Sequence, residues 1–458
     1  MTLSPTFWLI FLGGALLFTV FINNKIGMLI ILATVFLFNW LFGVIRIIPK
    51  EITWLPDIII IALTAKMLYL QARKSRFKRT TLDTIILAIV TLGLLSALYN
   101  HVPAPTFIFG FRNFFKYVLL FYILRNVELD SKFYKPIVMA MFALALIQIP
   151  VTIAQTIKFG IIGEDVADNV SGTLGWKATG AMAMLMSFAI SMMIGFYSQT
   201  RKRIFLLLTI GFLLPMILGS GQFGFYIAPP AVVLCWLAGH RWTWKNILKL
   251  PLIFMMMGLI GWFAIKYHDI RYEGNFEKFL RSPEKLYQLN MELRKEGAFG
   301  RFQVVKVAND LLARNGLNLL IGYGPGNASE SFFKKYSGKL DQQHMGRKIG
   351  GIQFTAIILE FGYVGLLLYG ILFYKLWRMS RRVYRRVNDP FWRAVAVGYV
   401  GMLFSYVVGI IYNPVWFYDV LAFPFWFISA ALVILDETAK IDIADGTKKK
   451  IELAAGNH

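Results

Sequence analysis

What most constrains this chain is the recurrence of long apolar runs along its whole length. A bilayer's hydrocarbon core is about 30 Å thick and takes about 20 mostly apolar residues per helical span, fewer where the membrane thins. Thirteen runs meet that requirement, near residues 7–22, 26–45, 56–72, 82–99, 109–125, 136–158, 178–197, 204–219, 223–239, 250–265, 351–374, 394–411 and 418–435. Only Asn23, Asn24 and Lys25 separate the first two, so the count stands at 12–14. Hydrocarbon offers a backbone no hydrogen-bond partners, so such runs must be helices. The expected fold is therefore an all-α polytopic integral membrane protein. Apolar residues make up 57% of the 458, against about 45–50% in soluble domains, and a soluble core has no room for that excess. Disorder, a coiled coil and a secreted disulfide scaffold are excluded on the same ground, and the single cysteine, Cys235, permits neither an intramolecular disulfide nor a thiolate metal site. The first run lacks a basic leader and a small-residue cleavage site, so no signal peptide is expected.

The formal charge of +23, from 48 Lys and Arg against 25 Asp and Glu, would suggest nucleic acid in a soluble chain. In a membrane chain it must first be sorted by side, because cytoplasmic loops hold the Lys and Arg excess. The sorting is sharp. Arg73, Lys74, Arg76, Lys78 and Arg79 mark one side with Arg201–Arg203, Arg241, Lys245, the Lys375–Arg393 cluster and Lys448–Lys450. The alternate connections, His101–Gly110 and Gly160–Gly175, carry almost no basic residues. They are expected to face outward, which makes the charge a topogenic signal and nucleic-acid binding no part of the reading.

These spans divide the chain into residues 1–265 (spans 1–10), an 85-residue mixed-charge loop at 266–350, residues 351–435 (spans 11–13) and a cytoplasmic tail at 436–458. Long loops translocate regardless of charge, and alternation assigns this one to the outside. Within it, Ser282-Pro283-Glu284 is a helix start and Gly297 a stop. A second helix is expected from Arg301 to Asn315, where Val304, Val305, Val307, Ala308, Leu311 and Leu312 recur at helical spacing. The loop is thus expected to be a helical cap.

After that helix the chain reads Gly322-Tyr323-Gly324-Pro325-Gly326, and the next span carries Glu360-Phe361-Gly362 and Gly365. An Arg opening an amphipathic helix, a G-x-G-x-G turn and a helix with E-x-G-x-x-G resemble the polysaccharide polymerase and O-antigen ligase family, through Arg301, Gly322, Gly324, Gly326, Glu360, Gly362 and Gly365. Agreement extends more weakly to Gly110-Phe111-Arg112 and Ser171–Gly175. The resemblance implies a GT-C-like helical glycosyltransferase of a bacterial inner membrane. It would take a saccharide from undecaprenyl diphosphate at the outer face, without cofactor or metal, beside membrane lipid and a chain-length regulator protein. Ligases of the family usually carry His nine residues before the Glu, where this chain has Gly351, and an Arg in a short turn, where it has Gly219-Ser220-Gly221-Gln222-Phe223. Those departures favour a repeat-unit polymerase over a ligase. A transporter or flippase of the same lipid-linked saccharide is a third reading, though no internal repeat supports it.

A lipid diphosphate leaving group gathers negative charge as the anomeric bond breaks, so catalysis needs fixed cations at the outer interface. Arg301 and Arg112 are the catalytic candidates of that kind, and Lys177 and Arg347 candidates for substrate binding; the competing reading for each is an interfacial anchor. His344 is the candidate base, its unperturbed pKa suiting proton transfer near neutrality, with Glu330 and Asp341 as alternatives. Glu360 sits within an apolar helix and is expected to hold neighbouring helices together. Tyr323, Gly324 and Gly326, with Gln353 at the head of the next span, complete the candidate substrate-binding set. The glycine run reads equally as a diphosphate cradle and as a tight turn between helices. Trp176, Tyr323 and Tyr336 read as interfacial aromatics before sugar-stacking ones.

Overall fold

The structure is a computed structural model that describes residues 19–48, 50–74, 79–127, 131–162, 169–175, 178–219, 222–239, 248, 250–271, 284, 299–331, 334–344 and 347–455. Among the described residues there are helices and turns and no strand. Seven helices among the described residues are long and apolar enough to cross a membrane, and four shorter apolar helices accompany them, so the chain is an α-helical membrane protein. The run at 7–22 and the helix expected to start at Ser282 lie essentially outside the described residues.

In chain order the described helices of six residues or more are α1 (Asn24–Ala33), α2 (Leu55–Lys74), α3 (Asp83–Tyr99), α4 (Ala104–Asn126), α5 (Ser131–Phe159), α6 (Thr179–Thr200), α7 (Ile204–Leu218), α8 (Gln222–Gly239), α9 (Leu250–Arg271), α10 (Arg301–Ala313), α11 (Gly316–Ile321), α12 (Gln353–Arg386), α13 (Pro390–Tyr412) and α14 (Asp419–Ala455). Asn23, one of the three residues expected to part the first two runs, caps α1 by accepting from the Lys25 N–H at 3.0 Å. α9 runs past the expected boundary at 265, and α14 continues unbroken through the expected tail boundary at 436.

α6 is the centre of the body, buried on nearly every face from Thr179 to Ser198, and packs most extensively on α13. Small residues permit that approach: a Cβ on Gly195 would lie 2.3 Å from the Ala394 carbonyl oxygen, and one on Gly398 2.6 Å from the Met192 Cα. Within lipid, where lipid tails are as apolar as leucine, such close backbone packing is what holds helices together.

Ion pairs tie together the helix ends that carry the basic clusters. Arg382 binds Asp436 through Nε at 3.1 Å and Nη2 at 2.8 Å, Arg386 reaches the same carboxylate at 3.5 Å, Arg125 meets Glu437 at 2.6 Å, and Lys135 meets Asp389 at 2.6 Å. The opposite ends of α2, α4, α6 and α14 converge on a cavity described below. α10 follows the sequence expectation closely: it begins at Arg301, and Val304, Ala308, Leu311 and Leu312 face inward, clustered with Ile358 and Leu359 of α12. Asn315 starts α11, its side chain accepting from the Leu317 N–H.

Candidate functional site

Three groups of side chains meet at the end opposite the basic clusters. The first is the glycine turn. Gly322 and Gly362 have φ of +75° and +68°, a region that disfavours a Cβ, and each presses on the other's segment. A Cβ on Gly322 would lie 2.5 Å from the Glu360 carbonyl carbon, and one on Gly362 2.1 Å from the Leu320 carbonyl oxygen. The break at Gly362 frees helix carbonyls, and the turn uses them: the Tyr323 N–H donates to Leu359 O at 2.6 Å and the Gly324 N–H to Glu360 O at 3.1 Å. The Glu360 carboxylate accepts from the N–H groups of Gly326 (2.9 Å), Ala328 (3.2 Å) and Ser329 (2.7 Å) and from Ser329 Oγ (2.6 Å). Glu360 therefore holds segments together, as its position in the helix implied, but through backbone amides of one loop rather than through a cation.

This geometry corrects the phosphate-cradle reading of Gly324 and Gly326. Their N–H groups are already committed to Glu360, so the run is a tight turn locked to α12. Tyr323 is likewise internal, its hydroxyl donating to Leu311 O at 2.7 Å, and Tyr336 stacks on Phe109 at 5.6 Å.

The second group surrounds Arg301. Its guanidinium lies 3.3 Å from the centre of the Tyr412 ring, at the end of α13, where a flat cation on an aromatic face is electrostatically favoured. The next residues tie back to α12: the Gln353 N–H donates to Asn413 O at 3.1 Å, and Gln353 Oε1 accepts from the Trp416 N–H at 3.0 Å. That second bond fixes which end of the Gln353 amide is oxygen. Gln353 Nε2, Asn413 Nδ2 and Trp416 Nε1 are then three buried donors with no hydrogen-bond partner. Buried donors are normally satisfied; two of these belong to the segment that follows Tyr412 and the third to the head of α12 bonded to it, and an oxygen-rich ligand would complete them. Phe299, two residues before Arg301, gathers His344 (rings 6.1 Å apart) and Arg347 (5.5 Å above its ring), and its N–H donates to Arg347 O at 3.0 Å. Partial burial, then the charges of Arg347 and Arg314, lower the His344 pKa, which keeps its imidazole neutral at pH 7 and able to accept a proton. Burial raises the pKa of Asp341; Glu330 is exposed.

The third group is a cavity of about 480 Å³, lined by Trp54, Arg112, Asn113, Lys116, Trp416 and Asp419 among others. Arg112, a candidate catalytic cation on its sequence, is held in an ion pair. Its Nε and Nη2 grip Asp57 at 2.5 and 2.7 Å, and it lies 4.7 Å above the Trp54 ring. Lys116, one turn further along α4, bridges Asp419 at 2.7 Å and Asp57 at 3.5 Å. Two cations face two anions, so the cavity is formally balanced, and its aromatic walls with interspersed polar groups suit a ring of hydroxyls better than a bare charge. Ala178 and Ala181 at the start of α6, and Tyr418, Asp419 and Val420 at the start of α14, bring two helix starts to its wall. Lys177 and Trp176 lie outside the described residues, although Gly175 and Ala178 on either side line this cavity.

The segment from Tyr412 to Asp419 joins the second group to the third, since Tyr412 carries Arg301 and Trp416 reaches the cavity. Sequence reasoning passed over Asp57, Lys116, Asn413, Trp416 and Asp419. A signal existed for the first two, because ionisable residues within apolar runs are unusual enough to mark function or pairing. Neither a protein-family model nor a curated protein matches the chain.

Proposed function

We propose that this protein is an inverting glycosyltransferase that moves a growing glycan from undecaprenyl diphosphate to a lipid-linked repeat unit, a polysaccharide polymerase of the bacterial inner membrane. In this reading it is GT-C-like, crosses the membrane thirteen times and faces the extracytoplasmic side with the Arg301 end. The observation that carries the proposal is the Arg301 guanidinium on Tyr412, at the start of a segment that holds the unpartnered donors of Asn413 and Trp416 and is bonded to Gln353, whose Nε2 is also unpartnered. A guanidinium with neighbouring N–H groups is what a departing diphosphate requires, since it binds two oxygens at once and keeps its proton at any working pH. The 480 Å³ cavity on the other side of the 412–419 segment would take the sugar end, and neutral His344 the acceptor's proton. The order and spacing of Arg301, the glycine turn and Glu360-Phe361-Gly362 support the same family.

The test is reconstitution of the purified protein with a lipid-linked repeat unit and gel analysis of the product. A ladder of lengths supports a polymerase, whereas a single transfer to a different acceptor identifies a ligase. Movement of the lipid-linked saccharide across the bilayer without any new glycosidic bond identifies a transporter. Arg301→Ala should abolish product while the protein remains folded and inserted. Full activity in that variant refutes the role of Arg301.

A further inference from the structure

At the other end of the molecule lies a larger cavity of about 610 Å³, between α8, α12 and α13, whose wall includes Leu234, Trp377, Arg381, Arg385, Arg393 and Val400. Its chemistry is one-sided. Arg381 and Arg385 stand one turn apart on α12, Arg393 enters from the first turn of α13, and none of the described residues in the wall is acidic. The neighbouring Arg382 and Arg386 share the one carboxylate of Asp436, and the nearby Asp389 pairs with Lys135. Arg381, Arg385 and Arg393 form no ion pair among the described residues; Arg381 lies 5.2 Å above Trp377 and Arg393 5.0 Å above Tyr384. The Arg393 Nε is buried with no hydrogen-bond partner. Three guanidiniums without an ion pair among the described residues line one cavity, and one of them keeps an unsatisfied buried donor, a combination that an anion would complete.

The rest of the wall says which anion. Leu234, Leu237 and Val400 continue the cavity along apolar helix surface, and Trp377 is of the type that sits at headgroup depth. We infer that this cavity binds an anionic membrane phospholipid, its phosphate on Arg381, Arg385 and Arg393 and its acyl chains along Leu234, Leu237 and Val400. Basic pockets between membrane helices recognise anionic headgroups by this combination of charge and apolar wall. The site is independent of the proposed transfer reaction, because its residues lie at the opposite end of α12 from Gln353.

The experiment is native mass spectrometry and thermal unfolding of the full-length protein in detergent, titrated with phosphatidylglycerol, with phosphatidylcholine or with inorganic phosphate. Phosphatidylglycerol should bind at defined stoichiometry and raise the unfolding temperature, and phosphatidylcholine should do neither. Each guanidinium at a membrane surface contributes about fivefold in affinity, so R381Q/R385Q/R393Q should weaken phosphatidylglycerol binding by about a hundredfold. Arg378→Gln removes an exposed charge from the same helix outside the cavity and should leave binding unchanged. Should the triple variant fail to fold, Arg393→Gln alone should still cost about fivefold. Equal binding of the two lipids, equal stabilisation by inorganic phosphate, or unaltered phosphatidylglycerol binding in the variants overturns the inference.

Discussion

Glu360 offers the sharpest test of how this end of the molecule is built, because its two oxygens carry unequal loads. Oε2 takes one bond, from the Gly326 N–H, and Oε1 takes three, from the N–H groups of Ala328 and Ser329 and from Ser329 Oγ. In Glu360→Gln the amide oxygen can stay at the Oε1 position and keep three partners. The new NH2 then faces the Gly326 N–H, donor against donor. The Gly326 N–H and the new NH2 are then both buried donors without an acceptor, at about 1–3 kcal/mol each, and weakening of the other three bonds on loss of charge is offset in part by no longer burying that charge. Glu360→Ala strands all four donors and should cost at least about 4 kcal/mol on the same scale. Amide hydrogen exchange read residue by residue separates the cases. The Gln variant should lose protection at Gly326 by about ten- to a hundredfold, a tenfold change being about 1.4 kcal/mol, and keep it at Ala328 and Ser329. The Ala variant should lose it at all three. Equal protection at Gly326 in wild type and Gln variant, or simultaneous loss of all three amides in the Gln variant, would refute the assignment of oxygens.

Asp57→Ala leaves Arg112 and Lys116 facing each other without their shared carboxylate, at side-chain exposures of 29% and 8%; breaking a buried pair costs about 3–5 kcal/mol, so thermal unfolding in detergent should drop markedly, and a shift within error would show that the pair is not structural. Gly110→Ala puts a Cβ 1.9 Å from the Gly326 nitrogen, a backbone clash worth more than the about 1–3 kcal/mol of ordinary overpacking, whereas Gly370→Ala, with nothing within 4 Å, should leave the same unfolding curve unchanged. The pKa of His344 is lowered, so its protonation is disfavoured in the folded protein: the neutral form persists through pH 6.5, and activity should fall only below it. Arg347→Gln removes one of the causes and should move that acid limb of the pH–rate profile upward; an unmoved limb would place the base elsewhere.

How much of this could be read in advance differs from group to group. Helical spans, the basic clusters and α10 follow from periodicity and charge, which are local properties, and Arg301 stands at the first position of its helix as its spacing from Val304 and Ala308 required. The glycine turn and Glu360 were each visible, but their bond was not. A carboxylate meeting amides more than thirty residues away leaves no periodic trace, so cradle and turn were indistinguishable until the N–H groups could be followed to their acceptors. Arg112 shows the opposite limit: its pairing could not be read in advance, because the choice of Asp57 as partner depends on α2 lying against α4. Asn413 and Trp416 had no local signal at all, since an aromatic segment between spans looks the same whether it lines a cavity or a bilayer interface.

Glu360 also accounts for how Arg301 reaches its place. Irregular backbone packed among membrane helices is tolerated only where protein satisfies its polar groups, and Glu360 lies seven residues into α12, about 10 Å along the helix axis from Gln353. At that depth Gly326, Ala328 and Ser329 have no other acceptor, so the carboxylate is what allows the loop to descend between α3, α4 and α12. The loop in turn anchors α11 through the paired glycines at 322 and 362, and α11 follows directly on α10, whose inner face lies on Ile358 and Leu359. Arg301 is thus positioned on Tyr412 by a chain of contacts that starts at the Glu360 carboxylate and ends in the apolar face of α10. If so, Glu360→Ala should lower transfer by nearly as much as Arg301→Ala, while Glu360→Gln, which retains three of the four bonds, should fall between them and wild type. A Glu360→Ala protein that transfers at the wild-type rate would uncouple the two and leave Arg301 held by α10 alone.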